Sequence, residues 1–410
     1  MNFVLISPHF PHNYWLFARA LKNRGVRVLG IVDTPVSTLP QRVREVLDDV
    51  VSVGSLADRD QVIRACGYLI WKYGPIDWIE SNNEFWLNLD AQLREQFHVT
   101  TGMLPQQLQS CQNKSQMKQK YAEAGIRTAR WTVARQEEEI RRFAKECGYP
   151  LVMKPDRGVG AADTVRITDD RQLEQVLKTR HEGMILEEYV RGTVCTYDGI
   201  VNNQGRVVFA TSHTYLGSVM DSVNENGAIG CYSKKQIPAD LQDAGKRTLQ
   251  AFGVRDRFFH LEFFRLSEDQ PGLGRTNDLV GLEVNMRPPG GFLPDMIDYA
   301  NDVDVYQIWA DTLLDHDPCY SPERPYSSVF AGRRHGCPYQ FSLQELQQRY
   351  SEAIVQHITM DPALASAMGD EVLIARFRSE ADAIRFFHDC TEERKEDREY
   401  GDCQGSAAAQ

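Results

Sequence analysis

Two apolar segments decide the fold of this chain: FFHLEFFRL at 258–266 and LVGLEVNMRPPGG at 279–291. Each has the length and the aromatic or β-branched content of a strand, and SEDQPGLGRTND, at 267–278 between them, is typical of a turn. The sequence therefore predicts a hairpin. If that hairpin is symmetric about its turn, Glu262 lies directly across from Glu283.

The polar face of this hairpin predicts a metal site. Side chains alternate along a strand, so Glu283, Asn285 and Arg287 share one face. Directly opposed carboxylates repel each other, and a divalent cation between Glu262 and Glu283 removes that repulsion. With Asn285 the set is all oxygen, which suits Mg²⁺, or Mn²⁺ in its place. Arg287 beside the glycine-rich bend at Gly290 suits an anion; the alternative is a hairpin with a solvated polar face.

Two lysines upstream are candidates for binding phosphate. Lys114 begins a helix predicted over 115–124, where the helix dipole favours anions. Lys154 ends a short apolar strand, and the loop after it contains Gly158 and Gly160, which allow close backbone approach to a phosphate. The loop is not of the Walker A type, because GxxxxGK[ST] is absent. Taken alone, each feature is better explained by a solvated lysine or an ordinary turn.

The first part of the chain predicts a doubly wound, parallel α/β domain. Apolar runs at 3–6 and 26–32 flank a helical pattern, and a third strand at 76–79 leads into a further helix. No GxGxxG follows the first strand, so a dinucleotide site is poorly supported. His9 and Glu84 follow the first and third strands, at positions that often face a ligand in such sheets. Ordinary capping of the following helices is the alternative.

Short β-rich segments separated by glycine or aspartate turns fill the middle of the chain and predict antiparallel sheets. One of them, ILEEYVRG at 185–192, ends in two acids and a glycine and indicates a hinge. His213, further along, is a candidate for the lining of an acceptor pocket, although a lone histidine is more often structural.

The last part of the chain, from about residue 326, predicts a small α/β region. It combines a strand at 371–377 with helices at 342–356 and 379–389. Residues 391–410 are charged or small throughout and predict a disordered tail.

The composition excludes several classes of protein. A chain of 410 residues is too long for one core, so we expect two or three domains. Its net charge of −11 argues against a nucleic-acid partner. No apolar stretch approaches the ~20 residues of a membrane-spanning helix, and MNFVLISPHF at the start lacks the features of a signal peptide. We therefore expect a cytoplasmic protein without a membrane partner, whose 9 scattered cysteines are free thiols.

In this order, the motifs resemble the ATP-grasp superfamily over roughly residues 1–325. The ending LEVNMRPPGG and the three-part length are similar to its carboxylate–amine ligase branch, which includes the L-amino-acid ligases. The resemblance implies two lobes that clamp ATP between antiparallel sheets. It divides the chain into a Rossmann-like pre-ATP-grasp domain (1–105), a small lobe (106–190), a large lobe with the metal site (191–325), the C-terminal α/β region (326–390) and the tail (391–410).

The resemblance also implies roles for the candidate residues. Lys114 and Lys154 would contact the ATP phosphates, and Arg287 would steady the transferred phosphoryl group or the substrate carboxylate. The magnesium ligands would be Glu262, Glu283 and Asn285. The adenine would be held by the hinge residues Glu187, Glu188, Tyr189 and Val190.

One position departs from the family pattern. Many members have an acid shortly after the hinge glycine that binds the ribose, and Val194 stands there in this chain. Ribose binding then falls to Glu188 or Asp198.

The chemistry that the resemblance implies is activation of a carboxylate by ATP with Mg²⁺. An acylphosphate and ADP form, and an amine then displaces phosphate to leave an amide or peptide-like bond. The partners would be small-molecule carboxylates and amines, with Glu84 as a partner for the amine, and a homodimer is a candidate assembly. The alternatives are a bicarbonate-activating carboxylase, a carbamoyl-phosphate-type enzyme, and a non-catalytic ATP-binding regulatory protein.

Overall fold

The computed structural model describes residues 1–158, 163–179, 182–217, 228–315, 318, 320, 323–360, 365 and 368–394. The strands are β1 (Asn2–Ile6), β2 (Arg27–Val32), β3 (Asp49–Ser52), β4 (Trp78–Glu80), β5 (Trp131–Val133), β6 (Leu151–Pro155), β7 (Val165–Ile167), β8 (Met184–Glu188), β9 (Gly192–Val201), β10 (Val207–Thr211), β11 (His213–Leu216), β12 (Ile229–Ser233), β13 (Arg257–Leu266), β14 (Leu279–Asn285), β15 (Ser327–Arg333), β16 (Ile354–Thr359) and β17 (Glu371–Phe377).

The helices cover the faces of the sheets that these strands form. They are α1 (Trp15–Asn23), α2 (Gln41–Glu45), α3 (Arg59–Tyr73), α4 (Leu87–Gln96), α5 (Pro105–Gln112), α6 (Lys114–Glu123), α7 (Glu137–Cys147), α8 (Asp170–Thr179), α9 (Ala239–Phe252), α10 (Leu293–Asn301), α11 (Val305–Asp315), α12 (Leu343–Arg349) and α13 (Glu380–Thr391). In the described ranges, no helix has both the length and the apolar character needed to cross a membrane.

The N-terminal sheet is parallel, with the strand order β3-β2-β1-β4. Strand β1 is buried on both faces: Phe3 and Leu5 belong to one apolar cluster, and Val4 and Ile6 belong to another. Such a continuous apolar run is typical of a parallel strand covered by helices on both sides. The prediction of a doubly wound opening is thereby confirmed.

A second, antiparallel sheet has the order β5-β8-β6-β7. Leu151, Met153 and Leu186 on this sheet pack against Ile140 of α7 and Leu173 of α8. The sheet therefore presents one face to these helices. Lys154 at the end of β6 and Glu187 near the end of β8 emerge from the same small sheet.

The third and largest sheet has the order β14-β13-β9-β11-β12-β15-β17-β16, with β10 paired to β9. Helix α9 lies close on β9, because a Cβ on Gly245 would come within 2.1 Å of the Tyr197 ring. The glycine allows the backbone of the helix to approach the sheet. Strands β13 and β14, at one edge, carry the polar residues of the predicted metal site.

The register of the β13–β14 hairpin agrees with the symmetry argument. Glu262 pairs with Glu283, and His260 pairs with Asn285. A bulge then follows Glu262, so that Phe263 pairs with Gly281. The prediction that the two glutamates face each other is confirmed, but the symmetric register ends at that point.

The C-terminal region differs from its prediction in two respects. Strands β15, β17 and β16 continue the large sheet beyond β12, so residues 326–390 form no sheet of their own. The helix predicted over 342–356 ends at Arg349, and β16 follows at Ile354–Thr359. The β-branched residues of IVQHIT favour a strand, and pairing with β17 decides it.

Part of the predicted tail is ordered. Thr391 ends α13, and Glu393 forms a bridge to Tyr339. Residues 395–410 lie outside the described residues. The domain boundaries inferred from the resemblance stay predictions.

Candidate active site

A pocket lies between the segment after β4, the end of α5, the loop after β6 and the β13–β14 hairpin. Its lining consists of Glu84, Phe85, Asn88, Cys111, Gln112, Arg157, Gly158, Glu283 and Asn285. The structure thus brings together candidates that are about 200 positions apart in the sequence. A second, shallow pocket is formed by Arg127 and the hairpin loop 267–278, and it contains none of the predicted ligands.

The paired glutamates of the hairpin have the properties of a cation site. Burial and the nearby Glu262 carboxylate raise the pKa of Glu283, while Lys114, Lys154 and Arg287 oppose this shift. In the described residues no group of three or more His, Cys, Asp or Glu side chains forms a metal cluster. Two carboxylates and the Asn285 amide fit Mg²⁺, since this ion takes few protein carboxylates and fills its remaining positions with phosphate or water oxygens.

Arg287 connects the metal set to the acceptor side of the pocket. Its Nη2 donates to Asn285 Oδ1 at 3.2 Å, and its Nε donates to Glu84 Oε2 at 3.2 Å. A third bond, from Nη1 to the Pro288 carbonyl at 2.9 Å, fixes the guanidinium against the bend. Glu84 and Arg287 therefore form an ion pair at the wall of the pocket.

Lys114 is held between the glycine loop and the hairpin. Its Nζ donates to the Gly158 carbonyl at 3.1 Å and lies 3.9 Å from Glu283 Oε1. Tyr121, two turns further along α6, donates to the Glu283 carbonyl at 3.2 Å, so the helix that begins with Lys114 packs on β14. Burial lowers the pKa of Lys114, while Glu283 opposes this shift. The lysine is thus placed beside the predicted cation site.

Asp156 fixes the start of α6. Its two carboxylate oxygens accept hydrogen bonds from the Ser115 backbone N–H at 2.7 Å and from the Ser115 hydroxyl at 2.8 Å. The first turn of the helix is therefore tied to the loop that follows β6.

Glu187 is bound by two lysines on the small-lobe side. Lys118 Nζ lies 3.0 Å from one carboxylate oxygen and Lys154 Nζ lies 2.9 Å from the other. Burial alone would raise the pKa of Glu187, but the two ammonium groups lower it to about 2. Lys118 was missed from the sequence, although its spacing of four from Lys114 places both on one face of α6.

The neighbouring hinge residues make different contacts. The Glu188 carboxylate accepts from the Arg130 N–H at 2.7 Å and from Arg130 Nε at 2.9 Å. Both of its oxygens are therefore engaged by a residue that the sequence did not single out, which argues against a ribose role for Glu188. The Arg166 guanidinium lies over the Tyr189 ring, with its central carbon 4.6 Å from the ring centre.

The ribose role predicted for Asp198 is wrong. Asp198 is fully buried, and its carboxylate accepts from His213 Nδ1 at 2.7 Å and from His260 Nδ1 at 2.6 Å. These bonds leave no surface for a sugar. His213 is fully buried as well, so its predicted place in the acceptor pocket is also wrong. Asp198 lies on β9 and His213 on β11, two neighbouring strands of the large sheet.

His260 connects this buried aspartate to the metal set. Its Nε2 lies 3.2 Å from Glu262 Oε1. Burial opposes the charged imidazolium, but Asp198 and Glu262 raise the pKa of His260 to about 9. The strand alternation could have found His260, because it lies two residues before Glu262 and thus on the same face.

Two further candidates, His9 and Gly290, are not among the residues that line the pocket. His9 is half-buried. Burial lowers the pKa of its imidazole, and the Asp33 carboxylate opposes that shift. Within the described part of the chain, its Nδ1 has no hydrogen-bond partner. Gly290 has open space where a Cβ would stand. Gly160 lies outside the described residues.

Comparison with known proteins supports the fold. The sequence model of the phosphoribosylglycinamide synthetase ATP-grasp (A) domain matches residues 112–252. The L-arginine-specific L-amino acid ligase of Bacillus subtilis is 24% identical over 281 residues, which make up 66% of this chain and 65% of that protein. The chain therefore spans slightly less than two thirds of this relative.

Solved structures agree over nearly the whole chain. The L-amino acid ligase of Bacillus licheniformis has a TM-score of 0.71 at 16% identity, with 95% of this chain and 96% of that chain covered. The biotin carboxylase domain of the Hydrogenobacter thermophilus 2-oxoglutarate carboxylase, in complex with MgADP and bicarbonate, has a TM-score of 0.68 at 16% identity, with 94% and 88% covered.

The chain has the ATP-grasp fold. Within that fold, the resemblance to the L-amino acid ligases is confirmed in sequence and in structure.

Proposed function

We propose that this chain is an ATP-dependent carboxylate–amine ligase that works through an acylphosphate and releases ADP and phosphate. The observation that carries the proposal is one pocket lined by Glu84, Glu283 and Asn285. Around it, Glu262 lies across from Glu283, Lys114 lies 3.9 Å from Glu283, and Arg287 forms an ion pair with Glu84. The relatives of known activity support it, since two of them are L-amino acid ligases.

The phosphate side of the pocket supplies fixed positive charge. Phosphoryl transfer depends mostly on positioning and on neutralising charge that spreads over the transferred group. Lys114 lies beside Glu283 and can contact a phosphate from there, whereas Lys154 would have to share its ammonium with Glu187. Magnesium held by Glu262, Glu283 and Asn285 would neutralise phosphate oxygens.

The acceptor side offers one group for each substrate. The Arg287 guanidinium is suited to a carboxylate, and the Glu84 carboxylate is suited to an ammonium group. Phe85, which is 70% exposed and lines the same pocket, provides an apolar surface for an organic substrate. That surface would serve no purpose for bicarbonate, which favours an amine with a side chain over the carboxylase alternative.

The reaction then proceeds in two steps. A substrate carboxylate oxygen attacks the γ-phosphorus, the bond from that phosphorus to the ADP oxygen breaks, and an acylphosphate forms. The bound ammonium gives one proton to solvent and becomes the amine, the amine attacks the acyl carbon, phosphate leaves with the electrons of the C–O bond, and the nitrogen gives a second proton to solvent. Arg287 steadies the carboxylate in the first step, and Glu84 holds the amine for the second.

Incubation with ATP, magnesium and mixtures of amino acids tests the proposal. ADP and phosphate should appear only with a suitable pair of substrates, and mass spectrometry should show a product lighter than their sum by one water. AMP with pyrophosphate would overturn the acylphosphate route. ADP formation that depends on bicarbonate alone would favour a carboxylase, and ATP binding without turnover would favour a regulatory protein. The homodimer and the cytoplasmic location stay predictions.

A further inference from the structure

The loop that joins β13 and β14 also contacts residues 189–191, which link β8 to β9. Gln270 Oε1 accepts from the Arg191 N–H at 2.7 Å, and Gln270 Nε2 donates to the Tyr189 carbonyl at 3.1 Å. One side-chain amide therefore binds two backbone groups on either side of Val190.

The loop is well fixed at this contact. The Ser267 N–H and hydroxyl both donate to the Arg191 carbonyl, at 3.0 and 3.2 Å. Gln270 and Gly274 exchange two backbone hydrogen bonds, at 2.9 and 3.0 Å, which close the loop on itself. The Gln270 side chain is thus held on a tight turn and not on a freely moving one.

Because the peptide bond is planar, these contacts fix the directions of the Val190 N–H and of the Val190 carbonyl. In a trans peptide the C=O and the N–H point in opposite directions, and the described cis bonds lie elsewhere, at Pro11 and Pro150. Because the Tyr189 carbonyl points at Gln270, the Val190 N–H points away from it. Because the Arg191 N–H points at Gln270, the Val190 carbonyl points away as well.

The Val190 N–H and carbonyl both point away from Gln270, where they can serve a ligand as donor and acceptor. Val190 is 8% exposed, and its side chain packs in a cluster with Ala129, Leu266 and Val280. Within the described ranges, neither the backbone N–H nor the carbonyl of Val190 forms a hydrogen bond. An adenine edge, with a ring nitrogen acceptor beside an amino donor, matches such a pair.

We propose that Gln270 is a positioning residue for the nucleotide base: it orients the two peptide groups around Val190, so that the hairpin which carries the metal ligands also sets the base site. The inference rests on the proposed binding of ATP. It predicts that removing the amide weakens contacts to the base and leaves contacts to the phosphates intact.

The test compares Gln270→Ala with Arg275→Ala, a matched control at an exposed position of the same loop. Calorimetric titration uses a non-hydrolysable ATP analogue, adenosine and magnesium pyrophosphate. The last two measure binding of the base and binding of the phosphates separately. Loss of two neutral hydrogen bonds predicts roughly ten- to thirtyfold weaker binding of the analogue and of adenosine in Gln270→Ala. Pyrophosphate binding should stay within about twofold of the parent, and Arg275→Ala should match the parent throughout.

Gln270→Met keeps the side-chain volume without the two hydrogen bonds, and it replaces Gln270→Ala if alanine lowers the melting temperature. Unchanged adenosine affinity in either folded variant would overturn the inference. So would an equal loss for adenosine and for pyrophosphate, because that result indicates general damage to the cleft. If the parent chain binds no ATP analogue, the proposed function itself fails, which is a distinct outcome.

Discussion

On the small-lobe side of the cleft, Glu187 lies between Lys118 and Lys154 at 3.0 and 2.9 Å. On the hairpin side, Glu262 and Glu283 lie directly across from each other. In the first group two ammonium groups pair with one carboxylate, and the pKa of that carboxyl falls to about 2. In the second group burial and the Glu262 carboxylate outweigh the nearby cations, and the pKa of Glu283 rises.

This difference separates the structural role of charge from its functional role. A buried carboxylate that is fully paired contributes to the folded state and has little left to offer a ligand. Opposed carboxylates weaken the folded state slightly until a cation joins them. Substitution on the two sides should therefore affect different measurements.

The largest effect is expected for Glu187→Gln, which leaves two buried lysines without their counter-ion. Breaking a buried ion pair from one side costs about 3–5 kcal/mol of the free energy of unfolding. Denaturation in urea measures it. Glu174→Gln is the matched control, because Glu174 forms an exposed ion pair with Arg141 and should lose at most about 1 kcal/mol. Equal losses in the two variants would contradict the distinction.

The next effect is on turnover and not on stability. Glu283→Gln removes a predicted magnesium ligand and should lower the rate of ADP release by about 10²–10³-fold. Without magnesium it should raise the free energy of unfolding by about 0.2–1 kcal/mol, since it also removes the like-charge contact. Glu268→Gln, on the exposed loop of the same hairpin, should change neither quantity noticeably. A variant that turns over ATP at the parent rate would rule out this metal site.

Acidification should change the contributions of Glu187 and Glu283 to stability in opposite directions. The pKa of Glu187 is about 2 in the folded chain and about 4.3 in an unfolded one, so its contribution to stability is complete above about pH 4.3 and is lost as the pH falls toward 2. The pKa of Glu283 is raised, so its protonation relieves a cost as the pH falls. Urea midpoints between pH 6 and 3 should fall less steeply in Glu187→Gln than in the parent and more steeply in Glu283→Gln. Parallel curves for all three proteins would contradict both assignments.

The smallest effect on stability is expected at the acceptor side. Gly290 has open space around it, so Gly290→Ala should change the free energy of unfolding by no more than about 0.5 kcal/mol. If the bend borders the acceptor, the added methyl group should raise the KM for one substrate without a change in melting temperature. A loss of stability with an unchanged KM would place Gly290 in the packing and not at the substrate.

The sequence predicted the fold class and the position of the hairpin because both depend on local patterns. Alternation along two strands and the length of one turn are enough to place Glu262 opposite Glu283. The bulge after Glu262 was not predictable in this way, because its extra residue, Leu282, lies on β14 beside Gly281, whose N–H donates to the Arg127 carbonyl of a distant segment. The helix predicted over 342–356 failed for a similar reason, since pairing with β17 makes part of it a strand.

The rest of the site depends on contacts between distant segments, for which one sequence carries no signal. Gln270 meets Tyr189 across 81 positions, and His260 meets Asp198 across 62. The failed roles of Asp198 and His213 have the same origin, since neither polarity nor spacing shows that both residues are fully buried. Burial of a polar group becomes visible only when its partner is known.

The continuity of the large sheet has a consequence for dividing the chain into fragments. A fragment that stopped at residue 325 would turn β12 into an unpaired edge, because its neighbour β15 would be missing. It would also uncover Phe292 and Met296, which pack against Phe330 and Ile374. An exposed edge next to newly exposed apolar side chains is a template for self-association. A fragment of residues 1–325 should therefore aggregate, even though it would still contain every candidate site residue.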